Sequence, residues 1–191
     1  MIIHCDSVRF INEVLENKEY GYLFTDLVVI DVGCNVGAFS LYMLPHARQI
    51  HAVDLSIENI NMLNKTIADN EIKNIKTYNV AISDSTQKKT FNCEGDPGDG
   101  AWRLESTGGG LIQAYTLNDF MAGHSIPYAD VLKLDVEGEE RKILDSPDFP
   151  VSKIHTIIGE RHGDAEVKGS FERLGYRFIE PKSGHFLARR I

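Results

Sequence analysis

The stretch that most constrains the fold is residues 28–37, Val-Val-Ile-Asp-Val-Gly-Cys-Asn-Val-Gly. Its first residues are β-prone and apolar without alternation, which is typical of a strand covered on both faces in a parallel sheet. Gly33 and Gly37 permit positive φ angles and a close approach of ligand to backbone, and a helix is predicted to begin near Val36. Asp31 lies near the strand end, where open α/β sheets bind their ligands. The stretch therefore predicts a ligand-binding turn between a buried strand and a helix.

The spacing of this turn narrows the choice of ligand. A dinucleotide-binding turn reads Gly-x-Gly-x-x-Gly, whereas here Asn35 stands where a pyrophosphate needs bare backbone. No Lys-Ser/Thr pair follows, which excludes a P-loop. Asp31 disfavours a phosphate because like charges would meet, but it suits an ammonium or a hydroxyl group. S-adenosylmethionine, with its carboxylate, ammonium, ribose and base, fits these features; a purely structural turn in another α/β protein is the alternative.

The composition excludes several classes of protein. The chain has 191 residues, and we predict a single domain over residues 1–191. Its net charge of −8 argues against a broad basic surface for nucleic acid or an anionic membrane. Three scattered cysteines form neither a metal spacing nor a disulfide framework, which favours a reducing, cytoplasmic compartment. Neither a signal peptide nor an apolar run of transmembrane length is evident, so no membrane partner is expected.

Strand and helix patterns alternate along the chain, which predicts a doubly wound, mostly parallel α/β sheet. Residues 1–27 are predicted to contain a short amphipathic helix, which is expected to cover a sheet edge or to close over a ligand. The predicted strands are residues 28–32, 49–53, 75–80, 129–134 and 154–159, with further candidates at 88–92 and 111–115 and a closing antiparallel pair at 176–179 and 185–188. The predicted helices are residues 36–44, 57–70, 117–121, 139–144 and 165–174.

Residues 93–110 form a glycine-rich irregular region. A loop of this length inside a compact domain is usually functional or mobile. It holds Trp102, the only tryptophan, next to Arg103. This pair either stacks on a substrate and clamps it, or belongs to an edge hairpin with Trp102 in the core.

Two further strand ends are predicted to contribute to a nucleoside site. Asp54 follows the second strand about twenty residues after Gly33, where a carboxylate binds ribose hydroxyls in nucleotide-binding α/β units; alternatively it is an acid at the start of the next helix. The turn after the third strand would hold the base, with Ile82 as an apolar wall and Asn79 or Asp84 at a base edge. A plain strand-to-loop turn is the alternative there.

Charged residues collect at the predicted carboxyl ends of further strands, and the candidate catalytic residues among them are Lys133, Asp135, Glu137, Glu160 and His162. Lys133 and Asp135 lie two apart and so share a face of the strand. A lysine in an apolar strand needs a charged partner. The group therefore either fixes strand ends through a Lys133–Asp135 or Lys133–Glu160 pair, or holds and deprotonates a nucleophile, which the clustering favours.

Neighbouring acids have simpler interpretations. Glu139 and Glu140 are explained by the N-terminus of the following helix. The acids and His162 would also suit Mg²⁺ or Mn²⁺, but nothing in their spacing demands a metal, and none is predicted.

Five segments of the chain resemble the FkbM-type family within the class I S-adenosylmethionine-dependent methyltransferases. In the family's order, these segments are residues 29–37, 79–84, 116–119, 133–140 and 157–162. The Lys-Leu-Asp-Val-Glu-Gly run that begins at Lys133 is the most specific. Two departures are Asp54-Leu55 where the family usually has Glu-Pro, and Asn118 where it usually has Asp. The first departure leaves the predicted ribose-binding role of Asp54 intact. The second leaves the identity of the methyl acceptor open.

The resemblance implies a seven-stranded sheet with helices on both faces and a reversed last strand. It also implies methyl transfer, most often to a hydroxyl of a sugar or another small metabolite. By this analogy, the residues that bind S-adenosylmethionine are Asp31, Gly33, Cys34, Asn35, Gly37, Asp54, Leu55, Asn79, Val80, Ala81 and Ile82. The alternatives are N- or RNA-methylation on the same fold, a module that binds the cofactor without turnover, and a nicotinamide-linked oxidoreductase, which Asn35 disfavours. A homodimer is a candidate assembly.

Overall fold

The structure is a computed structural model that describes residues 25–93, 102–105, 110–160, 167–180 and 185–191. The predicted N-terminal helix, most of the 93–110 region and His162 lie outside the described residues. The single-domain division stays a prediction.

The described residues contain strands and helices in the alternating order that the sequence predicts. The strands are β1 (Leu27–Val32), β2 (Ala47–Asp54), β3 (Ile75–Asn79), β4 (Ala81–Ile82), β5 (Gln87–Cys93), β6 (Trp102–Glu105), β7 (Gly110–Tyr115), β8 (Ala129–Leu134), β9 (Ile154–Glu160), β10 (Tyr176–Ile179) and β11 (His185–Arg190). The α-helices are α1 (Ala38–Met43), α2 (Ile57–Asp69), α3 (Leu117–Gly123), α4 (Glu140–Leu144) and α5 (Val167–Arg173), with a 3₁₀ turn at Val151–Lys153.

The main sheet has seven strands in the order β10-β11-β9-β8-β1-β2-β3. Strands β9, β8, β1, β2 and β3 run parallel to one another. Strand β11 is antiparallel to its two neighbours, β9 and β10. The predicted doubly wound sheet with a reversed last strand is therefore confirmed. The chain builds β2 and β3 on one side of β1 and then returns to place β8 on the other side. Strand order therefore reverses between β1 and β8, and open α/β sheets bind their ligands at the carboxyl ends of the strands at such a reversal.

The central strand β1 separates two apolar cores. All six of its residues are buried, which explains why its sequence does not alternate. On one face, the core contains Ile30, Leu132, Phe120 from α3 and Phe171 from α5. On the other face, the core contains Val29, Ile50, Phe39 from α1 and Leu63 from α2.

A second sheet of four strands, in the order β4-β7-β5-β6, was not predicted as a unit. Its strands β5 and β6 form an antiparallel hairpin in which Cys93 pairs with Trp102, so the hairpin alternative for this region is present in the backbone. The sheet buries a small cluster of Ala81, Ile112 and Ala114. Sequence periodicity missed it because β4 has only two residues and pairs with β7 some thirty positions later.

The longest helix that the described residues contain, α2, has 13 residues. Within this part of the chain, the structure has no helix that is long and apolar enough to span a membrane.

Candidate active site

The glycine turn after β1 has an unusual backbone that three residues make possible. The φ angles are 74° at Gly33, 50° at Asn35 and 88° at Gly37, all in the left-handed region that favours glycine and tolerates asparagine. The N–H groups of Gly33 and Cys34 donate to the carbonyl of Val53 at 2.9 and 3.0 Å. The turn is therefore anchored on the end of β2 rather than held by its own residues alone.

Steric contacts make both glycines necessary. A Cβ atom on Gly33 would lie 1.8 Å from the carbonyl oxygen of Asp135, so the turn packs directly on the segment after β8. A Cβ atom on Gly37 would lie 2.4 Å from a terminal methyl of Leu63, which brings the start of α1 against α2. The glycine turn after β1 and the charged segment after β8, both predicted to belong to the site, are thus in contact at Gly33.

Asp54 connects the turn with the start of α2. Its Oδ2 accepts from the N–H of Asn35 at 2.8 Å, and its Oδ1 accepts from the N–H of Ser56 at 2.8 Å and from Asn59 Nδ2 at 3.2 Å. Burial raises the pKa of Asp54, while these hydrogen bonds and the charge of Lys133 lower it. Because a carboxylate offers about four acceptor positions, Asp54 has capacity for a further donor.

Lys133 joins three groups below the turn. Its Nζ donates to the carbonyl of Gly33 at 2.8 Å and lies 3.4 Å from Asp31 Oδ1 and 3.3 Å from Asp135 Oδ2. Asp31 is fully buried, and its Oδ2 accepts from the hydroxyl of Ser40 at 2.7 Å. Its Oδ1 has no hydrogen-bond partner within the described residues, so Lys133 supplies the charge that an isolated buried carboxylate requires. The predicted pair with Asp135 is present, and Asp31 is a second partner.

The loop between β8 and α4 is held by Glu140. Its Oε1 accepts from the N–H of Val136 and its Oε2 from the N–H of Gly138, both at 3.0 Å. Glu137, between these donors, has a left-handed φ of 53°. The adjacent Glu139 accepts from the hydroxyl of Ser83 at 2.7 Å. Both acids at the start of α4 therefore have specific acceptor roles, beyond the helix N-terminus.

The turn that was predicted to hold a base is tied to its surroundings. Asn79 Nδ2 donates to the carbonyls of Asp54 and Leu55 at 3.2 and 2.9 Å, so it fixes the ends of β2 and β3 to each other. Ala81 and Ile82 are buried, and Leu55 and Val80 are partly buried.

Asp84, the other residue predicted at a base edge, is 46% exposed in its side chain. Its carboxylate accepts from Lys89 at 2.5 Å, and this bond is the main reason that its pKa falls to about 2. The ionised Asp84 therefore forms a surface ion pair with Lys89 of β5, in the second sheet.

Cys34, which was predicted to contribute to the cofactor site, lies in the glycine turn and is buried. Burial and the negative charges of Asp54 and Asp31 raise the pKa of its thiol well above the ordinary value. A buried neutral thiol of this kind packs as an apolar residue and is a poor nucleophile.

The structure brings most of the predicted site residues to one edge of the sheet. Asp135, Glu137 and Glu160 are half-buried there, and Glu160 ends β9 opposite His185 of β11. Among the described residues, no group of three or more His, Cys, Asp or Glu is arranged to hold a metal ion.

Sequence reasoning missed Ser40 and Ser83, and it missed the specific contacts of Glu139 and Glu140. Ser40 carried a usable signal, because it is the one polar residue within Ala-Phe-Ser-Leu. A buried polar side chain in such a run needs a partner.

The comparisons with known proteins agree with this architecture. A family model described as the methyltransferase FkbM domain matches residues 31–178. A methyltransferase FkbM from Methylobacillus flagellatus KT superposes with a TM-score of 0.62 at 14% identity and covers 92% of this chain and 47% of its own. The chain thus spans about half the length of that protein. Comparison with curated protein sequences gave no match.

Two further solved structures show the same fold at low identity. A precorrin-6y C5,15-methyltransferase from Geobacter metallireducens GS-15 gives a TM-score of 0.58 at 11% identity, over 94% of this chain and 87% of its own. TrmK from M. capricolum, in complex with S-adenosyl-homocysteine, gives a TM-score of 0.53 at 15% identity, over 97% of this chain and 68% of its own. At these identities the likeness concerns the fold, which is that of the class I methyltransferases.

Proposed function

Because the chain belongs to the FkbM methyltransferase domain family, we propose that it uses S-adenosylmethionine to methylate a hydroxyl oxygen of a sugar or another small metabolite. The observation that carries this proposal is the contact between Gly33 and Asp135. It brings the glycine turn, which the sequence predicts to bind a nucleoside, directly beside a set of half-buried acids. We call residues 31–37 with Asp54 the cofactor side, and residues 135–140 with Glu160 the acceptor side.

The residues of the cofactor side fit S-adenosylmethionine. Asp54 is a buried carboxylate with spare acceptor capacity next to the turn, as binding of ribose hydroxyls requires. The backbone from Gly33 to Gly37 would lie against the methionine part. Leu55 and Val80, with Ala81 and Ile82 behind them, would line the adenine. When bound, S-adenosylmethionine supplies a methyl group already activated on its sulfonium.

Asp31 supports the cofactor side from within β1, the strand that precedes the turn. It is fully buried and compensated by Ser40 and Lys133, so its role is to hold the turn in place through these two residues. Asn35 acts in a similar way, because its N–H binds Asp54 and its side chain accepts from the N–H of Val36 at 2.7 Å. The cofactor side is therefore held in shape by hydrogen bonds and ion pairs between protein groups.

The acceptor side provides proton acceptors. A hydroxyl that takes a methyl group must lose its proton, and a positioned carboxylate promotes this step. Asp135, Glu137 and Glu160 are the candidates within the described residues, and His162 stays a candidate from the sequence. Lys133 Nζ, 3.3 Å from Asp135 Oδ2, forms an ion pair with that carboxylate and so orients it.

Calorimetry with S-adenosylhomocysteine tests the cofactor assignment. We expect the wild type to bind, and Asp54→Ala to bind at least about tenfold more weakly because the ribose loses its acceptor. Asp69→Asn is the matched control, since Asp69 lies on α2 in an exposed ion pair with Lys65. Absence of binding by the wild type, or equal affinity of Asp54→Ala and wild type, would contradict the proposal.

A panel of acceptors tests the reaction. Release of S-adenosylhomocysteine is measured with sugars and other small hydroxyl compounds, with small amines and with bulk RNA. Turnover with a hydroxyl compound is the expected result. Turnover only with amines or RNA would replace the proposed acceptor class, and tight cofactor binding with no turnover on any acceptor would support a silent binding module instead.

A further inference from the structure

A strained residue lies at the centre of the acceptor side. Glu137 has a φ of 53° and is followed by Gly138 at 105°. Left-handed backbone is uncommon for residues with a long side chain, and it persists only where the surroundings impose it. Glycine would adopt this conformation without strain. Glutamate at position 137 therefore has a backbone strain that glycine would not have.

The carboxylate of Glu140 imposes this conformation. Its two oxygens accept from the N–H groups of Val136 and Gly138, which lie on either side of residue 137, at 3.0 Å each. The bond from Gly138 fixes the peptide plane that follows Glu137, and the bond from Val136 fixes the plane between Asp135 and Val136, one residue before Glu137. Glu140 is itself held in place, because it is buried at the first turn of α4, whose Ile143 and Leu144 are in the core.

The strained segment is also fixed to the cofactor side. A Cβ on Gly33 would lie 1.8 Å from the carbonyl oxygen of Asp135 and 3.5 Å from a methyl of Val136. Glu137 follows Val136 directly. Its backbone is thus held between the packed glycine turn and the two bonds to Glu140, which limits where its carboxylate can reach.

We propose that Glu140 is a positioning residue: by binding the N–H groups of Val136 and Gly138, it keeps Glu137 left-handed and holds the Glu137 carboxylate at the acceptor. The catalytic part rests on the proposed function, whereas the backbone part does not. An ordinary helix-terminal role for Glu140 is a weaker account, because both of its bonds are to N–H groups, of Val136 and Gly138, that lie before the first residue of α4 and its N-cap Glu139.

The first experiment compares Glu140→Gln with Asp130→Asn. The glutamine keeps the volume of Glu140 but turns an N–H₂ group toward one of the two donors. Asp130 is the matched control, since its carboxylate also accepts a backbone N–H, that of Val28 at 2.8 Å, at the opposite end of β8. The measurements are amide hydrogen exchange at Val136 and Gly138, the Kd of S-adenosylhomocysteine, and kcat with the acceptor that the panel yields.

For Glu140→Gln we expect exchange at both amides to accelerate, Kd to stay within about twofold of wild type, and kcat to fall at least about tenfold. Asp130→Asn should change none of these. Protected amides in Glu140→Gln would overturn the backbone role, and open amides with an unchanged kcat would overturn the positioning role. Absence of cofactor binding by the wild type would instead contradict the proposed function. The exchange data would still test the backbone role of Glu140, because they require no ligand.

The second experiment needs no acceptor. Glu137→Gly is made in the wild type and in Glu140→Gln, and the urea midpoint of unfolding is measured for all four proteins. If Glu140 imposes the strain, the glycine raises the midpoint when Glu140 is present, and this gain disappears in Glu140→Gln. Equal shifts in the two backgrounds would overturn the proposal. In the catalytic assay, Glu137→Gly should be stable yet slow, which a merely structural role for residue 137 does not predict.

Discussion

The two sides of the site use the same residue type in different ways. On the cofactor side, the carboxylates of Asp31 and Asp54 are buried and bind protein groups. On the acceptor side, the side chain of Asp135 is 30% exposed, and Glu137 and Glu160 are half-buried. A buried carboxylate is expensive unless it is paired, so it is retained where it shapes backbone. A half-exposed one remains able to meet a substrate.

Glu140 sharpens this comparison, because it lies on the acceptor side but is buried like the acids of the cofactor side. Its oxygens both accept backbone N–H groups, as Asp54 Oδ2 does on the turn. Burial, rather than position along the edge, thus separates the acids that build the site from those proposed to act in it. The predictions below test this division.

The largest effect is expected where the two sides touch. Gly33→Ala would place a Cβ 1.8 Å from the carbonyl of Asp135, so we expect a loss of about 5 kcal/mol or more, or no folded protein. Gly175→Ala is the matched control, because Gly175 has a similar φ of 78° but open space around it. It should cost only about 1–2 kcal/mol, the strain of the left-handed backbone. Urea unfolding of both variants measures the difference, and equal losses would show that packing at Gly33 is unimportant.

A smaller loss is expected when the buried charge of Asp31 loses its partner. Lys133→Met should destabilise the protein by about 3 kcal/mol, because an uncompensated carboxylate then stays in the core. The double variant Asp31→Asn with Lys133→Met should recover part of that loss. Urea unfolding of the single and double variants checks this, and a strictly additive pair would argue against the charge compensation.

For the half-exposed acids, the effect should appear in the rate instead. Asp135→Asn is expected to change the free energy of unfolding by less than about 1 kcal/mol, since the side chain is partly solvated. Its kcat should fall about a hundredfold if Asp135 assists removal of the proton. A variant that loses stability but keeps its kcat would place Asp135 with the acids that build the site.

The smallest effect concerns a titrating group outside both sides. Burial, with the nearby charges of Lys76 and His124, lowers the pKa of His51 to about 4 from 6.5. As the pH falls from 6.5 toward 4, the unfolded chain binds a proton that the native state does not, so the stability of the protein decreases. His51→Gln should flatten this part of the stability profile, measured by urea midpoints from pH 4 to 7. A pH dependence of kcat that persists in His51→Gln then belongs to the acceptor side.

The sequence by itself determined the main sheet and the edge of it at which the candidate site residues meet. The uninterrupted apolar residues of β1, the spacing of Gly33 and Gly37 and the acids after successive strands are local patterns, and each reflects a local backbone requirement. The doubly wound sheet followed from the alternation of strands and helices, and its reversed last strand followed from the family resemblance; the structure confirms both. Element ends differ from the predictions by only a few residues, because caps and fraying decide them.

Only the tertiary structure decided which charged group meets which. Lys133 reaches the carbonyl of Gly33 one hundred residues away, and Ser83 reaches Glu139 at a separation of 56. Such pairs depend on strand register and side-chain direction, which periodicity does not encode. The same holds for Glu140, whose position at the start of a helix gave no sign that both its oxygens would bind the backbone around Glu137.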